Sequence, residues 1–113
     1  MRKIVNLTKP KGSIVRLMIF NDDYGTYLFG YKKNEDCAAE WDEWYETEND
    51  AMTSVSKNYG VKKLEWKEIP NPEPNCQHDR INPVRIKGRE KEKPEHGKLE
   101  RLVNGKWIKF EKN

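Results

Sequence analysis

Residues 13–20, SIVRLMIF, are apolar at both parities: Val15, Leu17 and Ile19 fall on one side of an extended chain, Ile14, Met18 and Phe20 on the other. That pattern predicts a strand buried on both faces. NDDYG (21–25) then concentrates the Asn, Asp and Gly that suit tight turns. TYLFGY (26–31) puts Tyr27, Phe29 and Tyr31 on one face, so the stretch reads as a hairpin. CAAEWDEWY (37–45) fits two periods. As a strand it aligns Cys37, Ala39, Trp41 and Tyr45; as a helix it groups Trp41, Trp44 and Tyr45. The strand is preferred because a stronger helix start follows. Thr47-Glu48-Asn49-Asp50 has capping-box form, Ala51, Met52, Val55 and Tyr59 share one stripe, and Gly60 stands where a left-handed cap belongs.

VKKLEWKEI (61–69) alternates around Leu64 and Trp66 and predicts another strand, which Pro70, Pro72 and Pro74 then stop for want of amide donors. A short strand is expected within 81–86, with Val84 and Ile86 apolar and Pro83 marking an edge or bulge. Residues 87–98, KGREKEKPEHGK, hold no Val, Ile, Leu or aromatic and read as an exposed, flexible loop. The chain closes on the plainest hairpin of all. Asn104-Gly105 suits a type I′ turn, which pairs Val103 with Lys106, Arg101 with Ile108 and Leu99 with Phe110. On that register Leu99, Val103, Ile108 and Phe110 form the expected core face, and Leu102 and Trp107 pair across the other. The expected fold is therefore α+β: a mainly antiparallel sheet of about five or six short strands with one packed helix and a C-terminal β-hairpin. All 113 residues are expected in a single domain, 1–113, with a flexible loop at about 87–98.

Composition sharpens this picture. Apolar residues make up 35% and charged residues 36% of the chain, a balance that leans toward disorder. Trp41, Trp44, Trp66 and Trp107 oppose that reading, since each brings a large apolar area to a small core. The net charge of +3 is unevenly spread. Eight acids (Glu35, Asp36, Glu40, Asp42, Glu43, Glu46, Glu48 and Asp50) lie between residues 35 and 50 with no Lys or Arg, whereas residues 61–113 hold 14 Lys and Arg against 9 acids. Such asymmetry marks opposed acidic and basic faces. No signal peptide and no apolar run long enough to span a bilayer is present, so a cytoplasmic protein without membrane partners is expected.

The chemistry-bearing residues cluster in PNCQHDRINPVRIKGR (74–89). Cys76 and His78, with Cys37 and His96 elsewhere, complete the soft-ligand stock, but they lack paired zinc spacing. Nor does a Gly-rich turn accompany Cys76 as a nucleophile setting. No cofactor is expected. Cys37 and Cys76 have the number for one disulfide, although nothing in the pattern requires it. Arg80, Arg85, Lys87 and Arg89, continued by Lys91 and Lys93, make a basic stretch that is interrupted by Glu90, Glu92 and Glu95. Alternatively, Arg80, Arg85 and Arg89 satisfy carbonyls or acids within the fold, the 35–50 run included.

Together, TKPKGSIVRLMIFNDDYGTYLFGY (8–31) and PNCQHDRINPVRIKGR (74–89) resemble a family of small, uncharacterised single-domain bacterial proteins. The resemblance spans nearly the whole chain and implies a bacterial cytoplasmic domain. It brings no activity and no site residues.

The leading expectation is a non-catalytic protein that binds another protein, in the manner of immunity or inhibitor proteins. Its acidic aromatic surface would use Trp41, Asp42, Glu43, Trp44 and Glu46, since aromatics dominate interface hot spots and acids steer basic partners. The alternative is a small nucleic-acid-binding domain using Arg80, Arg85, Lys87 and Arg89; a second alternative is an enzyme or metal site at Cys76 and His78.

Overall fold

A computed structural model describes residues 1–110. The chain divides into two compact units, Met1–Asn71 and Pro72–Asn113. The first unit holds β1 (Arg2–Lys11), β2 (Ile14–Asp22), β3 (Gly25–Tyr31), β4 (Trp41–Tyr45), α1 (Glu48–Tyr59) and β5 (Lys67–Ile69). Its strands form one antiparallel sheet in the order β4-β3-β2-β1-β5. The second unit holds β6 (Val84–Ile86), β7 (Leu99–Val103) and β8 (Lys106–Phe110), an antiparallel sheet in the order β6-β7-β8. The α+β class and the C-terminal hairpin are as the sequence predicts, but the strands among the described residues number eight and are shared between two sheets.

β1 is the element that the hydrophobic pattern left unassigned. Its inward residues, Val5 and Leu7, are separated by a polar Asn, and Pro10 follows, so no apolar run announces the strand. Within the sheet it lies between β2 and β5, pairing Val5 with Leu17 and Arg2 with Ile69. Arg2 is only 1% exposed and donates from Nε to the Pro70 carbonyl at 2.7 Å, the kind of partner that a buried guanidinium requires. Pro70 thereby ends β5 and satisfies β1 together.

The β2–β3 hairpin forms as predicted, with Met18 opposite Phe29 and Phe20 opposite Tyr27. At its turn, Asp22 Oδ1 accepts from the Tyr24 and Gly25 amides. One face of the sheet carries Val5, Leu17, Ile19 and Leu28, and these join Ala51 and Val55 of α1 in the core. The opposite face carries an aromatic row, in which Phe20 stacks on Tyr27 at 6.5 Å and Tyr27 on Phe29 at 6.2 Å. The strand is thus apolar at both parities because both faces are buried.

Helix α1 starts and stops where its caps place it. Thr47 Oγ1 accepts from the Asp50 amide at 3.1 Å, and Gly60, at φ 69°, donates its amide to Ser56 O at 3.0 Å. Ala51 and Val55 are fully buried, and Met52 and Tyr59 flank them against the core.

Three local expectations are corrected. The 61–69 strand is reduced to Lys67–Ile69, because Glu65 caps the Lys62 amide through its carboxylate and curls Lys63–Glu65 into a 3-10 turn. This throws Leu64 outward, 97% exposed, while Trp66 stays packed on the core. Next, β4 begins only at Trp41, leaving Cys37 and Ala39 outside any strand. Finally, the last hairpin has its predicted register, but the supposed core face leaves Val103 36% and Ile108 39% exposed. A three-stranded sheet edged by a three-residue strand has too little area to bury them.

Candidate functional site

The five residues of the acidic aromatic segment gather on and just after β4. This strand ends the five-stranded sheet: β3 pairs with one side, and among the described residues no strand pairs with the other. Strand alternation divides its side chains. Trp41, Glu43 and Tyr45 share the face that α1 covers, and Tyr45 donates its hydroxyl to Ser54 Oγ on α1 at 2.9 Å. Asp42 and Trp44 share the other face, opposite Phe29 and Tyr27. Glu46 follows at the strand's exit and is exposed.

Two glycines of β3 seat the indoles. A Cβ on Gly30 would lie 2.4 Å from Cε2 and Cζ2 of Trp41, and one on Gly25 would lie 2.4 Å from Nε1 of Trp44. Each ring therefore lies flat across the bare backbone of the neighbouring strand. The consequences differ. Trp41 packs into the core cluster, whereas Trp44 keeps 51% of its surface exposed while its seat on Gly25 holds it in place. Sequence reading missed both glycines as parts of the site. For Gly30 the signal was an isolated Gly inside a strand pattern, in TYLFGY, which marks close approach by another group, whereas Gly25 read only as the turn residue of NDDYG.

The charges on this edge are unbalanced in an informative way. Glu35, Glu40 and Glu48 pair with Lys33, Lys32 and Lys3 at 3.8, 3.2 and 2.7 Å. Asp42, Glu43 and Glu46 make no ion pair among the described residues. Glu43 nevertheless makes its charge felt: burial pushes the Tyr59 hydroxyl above its ordinary pKa, and the Glu43 carboxylate pushes it further.

The basic stretch is not held together as a surface. Arg80 is buried, with its guanidinium 5.0 Å from the centre of the Phe110 ring. Arg85 pairs with Glu100 at 3.2 Å and with Glu90 at 3.5 Å, and its guanidinium stacks 3.8 Å from the Trp107 ring centre. Its acids are therefore those of its own unit, and its guanidinium lies over the partly buried Trp107 ring. Of the four candidate residues, only Lys87 and Arg89 are exposed. They flank a loop closed by backbone bonds, with Lys93 donating to Gly88 O and Glu95 to Lys87 O at 3.0 and 2.8 Å.

Cys37 and Cys76 are both free thiols. Cys76 is buried, and burial pushes its thiol above the ordinary value; Arg85 opposes this and Glu73 adds to it. A protonated thiol is a poor nucleophile and a poor metal ligand. His78 is exposed, and among the described residues no group of three or more His, Cys, Asp or Glu is placed to hold a metal ion. Since the folded thiol holds its proton more tightly, its contribution to stability is complete below the unfolded thiol's pKa and is lost as pH rises through the folded value. Thiol labelling at neutral pH should accordingly find Cys76 at least ~10-fold slower in the folded protein than in urea. Equal rates would mean that the thiol is neither buried nor raised.

Among the described residues, no helix is long and apolar enough to cross a membrane. No protein-family model, curated protein or solved structure matches this chain.

Proposed function

We propose that this is a non-catalytic, immunity- or inhibitor-like protein, acting in the bacterial cytoplasm, that binds a basic protein partner through the exposed edge of β4. The observation carrying this reading is the combination of a seated, half-exposed Trp44 with Asp42, Glu43 and Glu46, the acids of the segment's edge that no cation among the described residues neutralises. An immobilised aromatic loses little side-chain entropy on binding, and unpaired carboxylates speed encounter with a positive surface. Trp41 and Tyr45 serve the reading indirectly by anchoring the strand to the core and to α1. The nucleic-acid alternative draws on Lys87 and Arg89 alone, because Arg80 and Arg85 are occupied within their own unit.

Charge reversal tests the proposal. In a pull-down from native lysate, Asp42→Lys with Glu43→Lys should reduce partner recovery at least ~10-fold, the loss expected when close opposite charges are inverted. Unchanged recovery removes the acidic edge from the interface. Binding of nucleic acid that weakens steeply with salt, and is insensitive to these two substitutions, would transfer the function to the basic stretch.

A further inference from the structure

We infer that the free edge of β4 takes up an extended Lys- or Arg-rich segment of its partner as an added β-strand. This rests on the protein-binding reading above and specifies how the partner is held. β4 offers a row of backbone donors and acceptors that β3 does not use, over five residues, which is an ordinary strand length. A strand laid there would project alternate side chains to the two faces. On one face they meet Asp42 and the exposed ring of Trp44, and on the other Glu43, with Glu46 at the end. Cations at alternate positions therefore share one face, where they find the Asp42 carboxylate and an indole suited to cation–π contact, while the apolar residues between them lie on the face of Trp41 and Tyr45.

Charge selects the occupant. Pairing with β4 of a second copy would bring Asp42, Glu43 and Glu46 against the same three acids, so the carboxylates that attract a basic strand also keep this edge from joining its own kind. The flanking Glu40 and Glu48 do not contribute, since Lys32 and Lys3 already neutralise them.

Three short peptides separate strand addition from simple charge attraction: one alternating Lys or Arg with Val or Thr, its Glu-substituted counterpart, and the basic peptide N-methylated on alternate amides. The basic peptide should bind saturably below millimolar concentration and slow exchange of the outward amides of residues 41–45 by at least ~10-fold. N-methylation should weaken it by at least ~10-fold, because several backbone hydrogen bonds are lost together. Trp44→Ala should weaken it as well while leaving the fold intact. Undiminished binding of the N-methylated peptide, without amide protection, overturns strand addition and leaves the acidic-edge reading standing. Equal binding of the acidic peptide, or no binding by the basic one, overturns strand addition too. In that last case, the lysate experiment with Asp42→Lys and Glu43→Lys reports separately on the acidic edge.

Discussion

Leu17→Ala is expected to destabilise the first unit by about 3 kcal/mol, within the ~2–5 kcal/mol typical of buried leucines. Leu17 has no exposed surface and stands in a row that crosses four strands, Val5, Leu17, Gly30 and Trp41 in turn. The helix covers this row with Ala51 and Val55, so no loop can move inward to fill the space left by the missing atoms. Lost transfer energy and a residual cavity then add. Leu64→Ala is the matched control, because the same chemical change at a 97% exposed site should stay within ~0.5 kcal/mol of wild type. Urea unfolding followed by circular dichroism compares the two. Similar costs for both would mean that Leu17 is not at the centre of the core, or that Leu64 is not outside it.

Gly30→Ala is expected to cost about 1–3 kcal/mol although Gly30 does not adopt the left-handed backbone conformation that strains a side chain. The cause is steric: the new methyl would sit 2.4 Å from the Trp41 ring, which would have to leave its seat and its place against the core. A double-mutant cycle isolates this cause. With Trp41 replaced by Ala, the ring that the methyl would strike is gone, so Gly30→Ala should become neutral or stabilising, giving a coupling of about 1–3 kcal/mol. Additive costs would show that the ring does not occupy the glycine's side-chain space. The consequence reaches the candidate site, since Trp41 ties β4 to the helix-covered face; a displaced ring should loosen the edge that carries Asp42 and Trp44.

Much of the site was legible only as a list of residues. The stretch 41–46 names two tryptophans, a tyrosine and three acids, yet the two-residue period of a strand does not by itself say which face is covered. Trp41 and Trp44 are three positions apart, lie on opposite faces, and differ in fate because α1 packs on one of them. In the same way, Arg80, Arg85, Lys87 and Arg89 look alike in sequence. Arg85 meets Glu90, Glu100 and Trp107 only because β6 pairs with β7 and β7 with β8.

What the amino-acid order determines by itself are the features whose partners lie within a few residues. These include the Thr47 and Gly60 caps of α1, the Asp22 turn, the Asn104-Gly105 turn with its register, and the stop at Pro70. Their energies depend on local geometry and backbone conformation, which neighbouring residue types impose. The tertiary structure alone decided that 2–11 is an internal strand and that β4 ends its sheet with three acids left unneutralised among the described residues. Each of these depends on contacts between residues far apart in the chain, such as Val5 with Leu17, and Gly30 with Trp41, where burial and pairing outweigh local preference.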